Sequence, residues 1–374
     1  MAKYFLIAGE ASGDLHAAEL IKAIRQRDPE AVFAGLGGDK MAQAGCVLYQ
    51  DYRKMAFMGF AAVLANMGQV RRNFEMARQA LLSEKPDALI LIDYPSFNLR
   101  IAAFSRKHLP STKIYYYIPP KVWAWKRRRI HRIARLCDEV LGIFPFEPAF
   151  YARYGYRCTY VGNPTAEEMK EKSKRVPVRG KKIAILPGSR KSEVKHCLEK
   201  MLHAARRFKG YEIIVTAAPG IEDAYYAPYL QAGEQLTRDT YGAIQQAQAA
   251  IVNSGTATLE TALLGCPQVA VYHLALTPLI RALRWMQPLI FSIPYFTLVN
   301  IISGKEVIKE CIANDFTEEK VFQELARLLK DESYTKKMLA NYEHLSQLLG
   351  DQPAASGAAA IITSKQVSKP IYTA

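Results

Sequence analysis

The sequence predicts an α/β protein with two doubly wound parallel-sheet domains in tandem. Three observations support this prediction. Short apolar runs alternate with helical segments, the alternation restarts after residue 165, and several of the apolar runs end in a glycine-containing turn. Strands that alternate with helices form parallel sheets, because each helix returns the chain to the starting end of the next strand. A length of 374 residues suits two such domains, each with its own core.

The first domain is predicted to span residues 1–165. Runs rich in Ile, Leu, Val and aromatic residues are typical of strands buried on both faces, and they occupy residues 4–8, 32–36, 88–92, 114–117, 139–143 and 159–161. Between them, apolar residues recur at helical spacing at residues 14–27 and 60–82, after Ser96 and at 148–154. Gly162-Asn163-Pro164 and the charged run at 167–182 predict a linker.

The second domain, predicted to span residues 166–350, repeats the pattern. Strands are predicted at residues 183–186, 212–216, 250–252 and 268–271, and helices at 193–208, within 239–248, around Glu260, and at 318–330 and 334–349. Residues 351–374 form a C-terminal tail with an Ala-rich helix at 354–363. We expect such a tail to pack across a domain or onto a second subunit.

The composition indicates a globular protein with anionic partners. Hydrophobic residues make up 50% of the chain, and the formal net charge of +15 favours phosphates, nucleic acid or an acidic lipid surface without choosing among them. The first residues lack the apolar region of a signal peptide, which predicts a cytoplasmic protein. The longest apolar region, at residues 273–302, is interrupted by arginines and prolines, so no transmembrane helix is expected.

Neither a metal site nor a disulfide framework is predicted. The six cysteines are scattered without a Cys-x-x-Cys pair, which favours reduced and buried thiols. The chain contains no Asp-x-Asp motif and no cluster of His, Asp and Glu with metal-ligand spacing. We therefore expect no metal and no other cofactor, with cationic side chains and helix dipoles balancing the negative charge of a ligand.

Residues 249–260 predict a cradle for a nucleotide diphosphate. A short apolar strand leads into a turn of small residues, and a helix then begins with Glu260 in its first turns. Backbone N–H groups at a helix N-terminus bind phosphate, and Glu260 would reach the ribose hydroxyls. An ordinary Ser/Thr helix cap is the alternative. The candidate phosphate contacts are Ser254, Gly255, Thr256, Ala257 and Thr258.

A second glycine turn in the same domain carries an arginine. Gly188, Ser189 and Arg190 follow the strand predicted at residues 183–186. A guanidinium can neutralise a diphosphate bidentately, so Arg190 is a candidate contact of a leaving group, with a solvated surface arginine as the alternative. Two such turns on one sheet predict that both meet one nucleotide.

Two strand ends of the first domain also carry polar turns. Gly9 and Gly13 enclose a turn with Ser12, but their spacing departs from Gly-x-Gly-x-x-Gly. We therefore expect an acceptor loop, or a capped βα turn, rather than NAD binding. Asp93 follows another strand, where partial burial would raise its pKa and suit it to act as a base. Capping of the next helix is the alternative, although Ser96 is better placed for that.

Two segments of the first domain are candidates for contact with an acceptor or a membrane. The basic residues that follow two tryptophans at 123–135 suit RNA, a phosphorylated lipid at a membrane surface or a solvated helix. The apolar residues at 55–67 suit an interfacial helix or a buried core helix. The candidate contacts in these segments are Phe57, Phe60, Val63, Leu64, Trp123, Trp125, Arg127, Arg128 and Arg129.

Taken in order, the motifs of this chain resemble those of the lipid-A-disaccharide synthase family. The resemblance spans residues 8–310, and several motifs are specific to that family rather than to a fold. It is carried by Gly9-Glu-Ala-Ser-Gly-Asp14, Met58-Gly59, Ile92-Asp93-x-Pro-x-Phe-Asn98, Pro120-x-Val-Trp-Ala-Trp125, Phe144-Pro-Phe-Glu147, Pro187-Gly-Ser-Arg190, Ser254-Gly-Thr-Ala-x-Leu-Glu260 and Asn300.

The resemblance implies a GT-B glycosyltransferase with two Rossmann-like domains and a cleft between them. It implies that UDP-2,3-diacylglucosamine is joined to 2,3-diacylglucosamine 1-phosphate, with inversion and release of UDP, in lipid A biosynthesis. It also implies a peripheral position on the inner face of the inner membrane, no nucleic-acid partner, and a homodimer with exchanged C-terminal helices.

The resemblance also implies roles for single residues. Asp93 matches the base for the acceptor 6-hydroxyl, Arg190 a leaving-group contact and Asn300 a further donor-side residue. Many members carry a second acidic residue where this chain has Ser96. Either Asp93 acts alone, therefore, or another carboxylate such as Glu10 assists it. The alternatives are a UDP-sugar 2-epimerase of the same fold and a non-catalytic protein that binds nucleic acid or membranes.

Overall fold

The chain divides into two compact units, each built around a parallel sheet. The structure is a computed structural model that describes residues 1–55, 67–124, 127–174, 179–273 and 294–364. Unit 1 is Met1–Pro164 together with the chain from Gln352 onward, and unit 2 is Thr165–Asp351. Both sheets are parallel with helices between the strands, which confirms the predicted fold class.

The sheet of unit 1 has the strand order β3-β2-β1-β4-β5-β6-β7. Its strands are β1 Lys3–Ala8, β2 Val32–Gly37, β3 Cys46–Asp51, β4 Ala88–Ile92, β5 Lys113–Tyr117, β6 Glu139–Gly142 and β7 Thr159–Tyr160. The helices between them are α1 Ala11–Arg27, α2 Asp39–Gln43, α3 Met67–Glu84, α4 Pro95–His108, α5 Arg129–Leu136 and α6 Glu147–Ala152.

The direction of strand order reverses between β1 and β4. β2 lies on one side of β1 and β4 on the other, with Ala8 paired to Ile92 at their carboxyl ends. The loops that begin at Gly9 and Asp93 are therefore neighbours. Ligands of doubly wound sheets bind at such a switch point, because the two loops diverge and leave a crevice.

Unit 2 repeats this architecture with the strand order β10-β9-β8-β11-β12-β13. Its strands are β8 Lys182–Leu186, β9 Glu212–Thr216, β10 Gln235–Thr237, β11 Ala249–Asn253, β12 Gln268–Tyr272 and β13 Lys309–Ile312. Its helices are α7 Pro164–Lys172, α8 Lys191–Arg206, α9 Thr240–Gln246, α10 Thr256–Leu263, α11 Leu298–Ser303, α12 Glu318–Lys330 and α13 Glu332–Leu349. The switch point lies between β8 and β11, where Leu186 pairs with Val252.

Some elements differ from the sequence expectation. Helix α7 begins at Pro164, inside the segment for which a linker was predicted. Proline suits the first position of a helix because its φ is already helical and it has no N–H to satisfy there. Strands β10 and β13 were not predicted, because they are short and mostly polar or only partly buried.

The C-terminal tail returns to unit 1 as helix α14, Ala354–Ser364, which packs on α1. Its small residues also allow it to approach the chain after β7 closely. A Cβ atom at Gly357 would lie 2.5 Å from the carbonyl oxygen of Val161, so this position requires glycine. The tail therefore packs across a domain, one of the two arrangements expected for it.

Side chains alternate between the two faces of the first sheet. Tyr115 and Tyr117 pack on one face, against α1 and α14, while Tyr116 packs on the other with α4 and α5. The six cysteines are free thiols in the core. Within the described residues, every helix falls short of the length and apolar character that crossing a membrane requires.

Candidate active site

A cavity of about 720 Å³ opens at the carboxyl ends of the strands of unit 2. It lies where the turns after β8 and β11 meet, which is the switch point of this sheet. Its volume is typical of a site for a small organic ligand. The predicted donor-side residues that line it are Gly188, Ser189, Arg190, Ser254, Gly255, Thr256, Ala257 and Glu260.

The turn after β8 requires glycine at position 188. Its φ of +117° is a conformation that other residues rarely adopt, and a Cβ there would lie 2.5 Å from Oε2 of Glu193. That oxygen accepts hydrogen bonds from the backbone N–H groups of Ser189 (2.9 Å) and Arg190 (3.3 Å). The turn is thus fixed by Glu193, while the Arg190 side chain is 66% exposed at the cavity.

The turn after β11 uses glycine for another reason. Gly255 has an extended φ of 176°, which any residue can adopt, and a Cβ there would meet no atom within 4 Å. It is the N-cap of α10, and no side chain among the described residues caps this helix. The first N–H groups of α10 therefore face the cavity, where the partial positive charge of a helix N-terminus favours an anion.

Glu260 lies half-buried on α10, one turn from these N–H groups. Burial raises its pKa, the negative charge of Glu168 raises it further, and a hydrogen bond with the Thr256 side chain opposes both effects. Tyr241, which also lines the cavity, donates a hydrogen bond to Glu168 at 3.2 Å. A carboxylate is thus available beside the helix N-terminus to accept hydrogen bonds from a polyol.

Two predicted donor residues lie outside the cavity lining. Thr258 is buried, and its hydroxyl donates to the carbonyl of Gly255 at 2.9 Å, so it stabilises the turn. Asn300 is 0% exposed, and all of its side-chain hydrogen-bonding capacity is used within the protein. Its Nδ2 donates to Ile308 O and Glu310 Oε1, and its Oδ1 accepts from the backbone N–H groups of Val307 and Ile308. The donor-side role implied for Asn300 therefore stays a prediction, because its polar atoms are all paired within the protein.

Several polar residues that line the cavity were not predicted from the sequence, among them Asn253, Arg238 and Tyr241. Arg238 follows the short strand β10 and donates to Asp223 at 2.5 Å, which fixes its guanidinium at the cavity wall. An arginine that directly follows a strand is a signal for a ligand contact. Here the strand is too polar to be recognised from the sequence, so the signal was missed.

In unit 1, Asp93 lies half-buried at the carboxyl end of β4. Burial raises the pKa of its carboxyl group, while the charge of Lys121 and the backbone N–H of Tyr94 oppose this effect. The backbone is unusual here, because Asp93 and Tyr94 both have a φ of +44°. Each left-handed residue other than glycine costs about 1–2 kcal/mol, so the neighbouring structure must hold this turn in place.

The loop after β1 lies beside this turn. The ring of Tyr94 covers Gly9 so closely that a Cβ at Gly9 would overlap it. Glu10 is half-buried at the N-cap of α1, and its charge contributes to the raised pKa of Tyr94, for which burial is the larger cause. Ser12 is exposed in the first turn of α1. The structure therefore brings Glu10 and Asp93 to the same edge of the sheet.

Trp123 is 3% exposed, so it lies in the core rather than on a surface that could face a membrane. Its indole packs edge-on against Phe144 and Phe146 and donates to Glu147 at 3.2 Å. The other oxygen of Glu147 accepts from the backbone N–H groups of Ile143 and Phe144, both at 2.9 Å. Burial raises the pKa of Glu147 to about 7, although these hydrogen bonds and Lys121 oppose it.

Only part of the expected acceptor and membrane surface can be placed. Arg127 and Arg128 are exposed just before α5, and Arg129 is half-buried at its start. The predicted contacts that lie outside the described residues are Phe57, Phe60, Val63, Leu64 and Trp125. Among the residues that the structure describes, no group of three or more His, Cys, Asp and Glu side chains is arranged to hold a metal ion.

Sequence comparison identifies close relatives. The family model described as lipid-A-disaccharide synthetase matches residues 4–362. Lipid-A-disaccharide synthase from Geobacter sulfurreducens is 34% identical over 96% of both chains. The enzyme of the same name from Trichlorobacter lovleyi is also 34% identical, over 97% of both chains.

Solved structures share the fold at low sequence identity. MurG from Acinetobacter baumannii matches with a TM-score of 0.58 and 15% identity, over 97% of this chain and 100% of that one. UDP-GlcNAc 2-epimerase from Neisseria meningitidis, bound to UDP-GlcNAc, matches with a TM-score of 0.61 and 10% identity, over 98% and 100%. These likenesses indicate the two-domain GT-B fold.

Proposed function

Because this chain belongs to the lipid-A-disaccharide synthetase family, we propose that it joins UDP-2,3-diacylglucosamine to 2,3-diacylglucosamine 1-phosphate. The products are lipid A disaccharide 1-phosphate and UDP. The observation that carries this proposal is the cavity of unit 2, where a helix N-terminus, an arginine and a carboxylate line one space. That set matches the diphosphate and ribose of a UDP-sugar.

On the donor side, the N–H groups at the start of α10 bind the diphosphate, with Ser254 and Thr256 beside them. Arg190 is exposed at the same cavity, so its guanidinium can turn towards the leaving group as negative charge develops there. Glu260 accepts hydrogen bonds from the ribose hydroxyls.

On the acceptor side, Asp93 is the base. It removes the proton of the acceptor 6-hydroxyl while that oxygen attacks the anomeric carbon and the bond to the UDP oxygen breaks. Attack opposite the leaving group inverts the configuration at this carbon. A pKa raised by burial makes the Asp93 carboxylate a better proton acceptor than an exposed aspartate.

The reaction needs no divalent metal in this proposal. Arg190 and the N-terminus of α10 supply positive charge at the position of the leaving group, which is the task that a metal performs in other sugar transferases. The cationic side chain and the helix dipole thereby act together on the departing UDP.

The enzyme works on a membrane surface in this proposal, at the inner face of the inner membrane. Both substrates carry acyl chains, and the net charge of +15 together with exposed Arg127 and Arg128 suits an anionic lipid surface. Flotation with anionic vesicles tests this proposal. Arg128→Glu is expected to reduce vesicle binding. Lys107→Glu, which makes the same charge change at an exposed position on α4, is the matched control and is expected to reduce binding less.

The proposed assembly is a homodimer that exchanges α14. The helix packs on α1 through Ala358, Ala359 and Ile362, and a second copy offers the same surface, so exchange replaces one contact by an identical one. Light scattering coupled to size-exclusion chromatography distinguishes a dimer from a monomer of 42.0 kDa.

The deciding experiment incubates the purified protein with both substrates in detergent and EDTA, and detects products by mass spectrometry. Disaccharide 1-phosphate made by the wild type but not by Asp93→Asn supports the reaction and the base, and the anomeric proton coupling reports inversion. Activity that returns only when Mg²⁺ is added contradicts metal independence. An epimerised UDP-sugar formed without acceptor indicates the epimerase alternative instead.

A further inference from the structure

The two left-handed residues at the end of β4 are held by side chains from other parts of unit 1. The carbonyl oxygen of Asp93 accepts hydrogen bonds from Nδ2 of Asn98 at 2.7 Å and from the hydroxyl of Tyr116 at 2.8 Å. Nδ2 of Asn98 also donates to the carbonyl of Ile92 at 3.2 Å. Two donors from α4 and β5 therefore converge on the backbone of the proposed base.

These two residues cannot touch substrate, because both are fully buried. The orientation of the Asn98 amide is set by the hydrogen bonds that its Nδ2 donates. Its Oδ1 has no hydrogen-bond partner among the described residues. Rotating the amide by 180° would place that oxygen against two carbonyl oxygens, which would repel it. An unpaired buried acceptor is destabilising, so this cost offsets part of the stability that the two hydrogen bonds donated by Nδ2 provide.

We propose that Asn98 and Tyr116 are positioning residues that hold the Asp93 carbonyl and thereby fix the orientation of the Asp93 carboxylate. The inference rests on the proposed role of Asp93 as the base. With its carbonyl fixed on two sides, the residue stays in the left-handed conformation and its carboxylate keeps one direction at the switch point. A base that is fixed before the substrate arrives needs no reorganisation during proton transfer.

The chain offers a closely matched pair of variants for the test. Tyr116→Phe removes only the hydroxyl that contacts Asp93. Tyr115→Phe removes the hydroxyl of the preceding residue, which is also fully buried, has no hydrogen-bond partner among the described residues and points to the other face of the sheet. The two variants lose the same atom from adjacent positions of one strand.

We expect Tyr116→Phe to lower kcat at least about tenfold, because small displacements of a catalytic group have effects of this size. The Kd of UDP and the KM of the donor stay unchanged, since unit 2 is untouched. Tyr115→Phe keeps kcat within about twofold of wild type, because its hydroxyl contacts no hydrogen-bonding group in the described structure. Asn98→Ala is expected to lower kcat further, as it removes the donor shared by two carbonyls.

A titration provides a second readout that does not depend on turnover. When the turn loosens, the Asp93 carboxylate gains water, so the burial that raises its pKa diminishes and the pKa falls. Among the described residues, Lys121 lowers this pKa, and the other titratable or charged groups nearby are Tyr116, the Glu10–Tyr94 pair and Arg129, which acts on Tyr116. Only Tyr116 is changed in the variant. ¹³C NMR of labelled aspartate, with Asp93→Asn to assign the signal, measures this shift in Tyr116→Phe and Tyr115→Phe.

The outcomes separate this inference from the proposed function. An inactive Asp93→Asn beside a fully active Tyr116→Phe with an unshifted Asp93 titration overturns the positioning role and leaves the function intact. An inactive wild type contradicts the function, whereas the NMR titration still decides whether the hydroxyl holds the carboxylate. Equal losses of melting temperature and kcat in Tyr116→Phe and Tyr115→Phe overturn the inference, because they indicate a general packing defect.

Discussion

Gly188 and Asn253 are in close contact across neighbouring strand ends: a Cβ atom on Gly188 would lie 2.7 Å from Nδ2 of Asn253. At Gly255, on the turn beside it, the same atom would meet open space. The glycine of the first turn is thus required by the fold. The fold places no such requirement on the glycine of the second turn, and we expect a ligand to approach it closely.

The two glycines are therefore expected to respond differently to alanine. Gly188→Ala destabilises unit 2 by more than about 1 kcal/mol, because its positive φ and close neighbours do not accept a side chain. Gly255→Ala leaves the melting temperature unchanged or slightly higher but weakens UDP binding at least about tenfold, as its methyl group takes the place of a phosphate oxygen. Scanning calorimetry and titration calorimetry with UDP measure both effects. Full UDP affinity in Gly255→Ala would argue against this turn as the phosphate site.

Glu260 is expected to set the preference for ribose. Glu260→Gln weakens UDP by about 1.5–3 kcal/mol, the value of a hydrogen bond to a charged group, and weakens 2′,3′-dideoxy-UDP much less. Burial and Glu168 raise the pKa of Glu260, so this side chain becomes protonated at a higher pH than an exposed glutamate would. On acidification, UDP affinity is therefore expected to begin to fall at that higher pH. In Glu168→Gln this fall moves to lower pH. Equal losses for both ligands would show that Glu260 does not contact the ribose.

The acid limb of kcat/KM is expected to report the protonation of Asp93. Burial raises this pKa, so activity is lost on acidification at a pH above the ordinary aspartate value of about 3.9. Lys121 lowers the pKa of Asp93, hence Lys121→Met moves the acid limb to higher pH. Lys107→Met, at an exposed position on α4, leaves it in place. An acid limb that stays unchanged in Lys121→Met would indicate that another group titrates.

Much of this architecture follows from local patterns in the sequence. Runs such as Ala88–Ile92 are apolar throughout because parallel strands are covered on both faces, and polar residues directly after them mark the carboxyl edge. Asp93 and Arg190 could be placed at that edge for this reason. Short strands such as β10, Gln235–Thr237, carry no such signal, so Arg238 beside the cavity was missed.

The sequence does not show which hydrogen-bond partner each polar side chain has in the folded protein. Asn300 and Trp123 have residue types suited to ligand contact, yet tertiary contacts use their polar groups inside the fold. The hydroxyl of Tyr116 reaches Asp93 only because neighbouring parallel strands align Ile92 with Tyr117. The contacts of Tyr116 with Asp93 and of Trp123 with Glu147 join positions more than twenty residues apart, and no local periodicity encodes them.

Asn300 is accordingly expected to contribute to stability rather than to binding. Asn300→Ala leaves two backbone N–H groups and a carbonyl without their partner, at a cost of about 3 kcal/mol or more, so the melting temperature falls. UDP affinity per folded molecule stays near that of the wild type, measured below the transition by titration calorimetry. A normal melting temperature with weakened UDP binding would instead restore the direct donor contact.

Glu147 is expected to make stability depend on pH in a direction unusual for a carboxylate. Its pKa is about 7 in the folded protein, against an ordinary value of about 4.5. Between these values the folded state binds more protons than the unfolded state, so the free energy of unfolding falls as pH rises, by about 3 kcal/mol in total at ~1.4 kcal/mol per pKa unit. The loss is nearly complete about one pH unit above the folded-state pKa.

Glu147→Gln removes this dependence, because a glutamine does not titrate. The variant retains an oxygen for the N–H groups of Ile143 and Phe144, as the protonated carboxyl does, but its amide faces the indole N–H of Trp123. Its melting temperature relative to wild type should therefore rise between pH 5 and pH 8, while the exposed Glu30→Gln shows no such trend. Melting curves in matched buffers measure this difference, and a constant offset across the range would mean that Glu147 remains ionised in the folded protein.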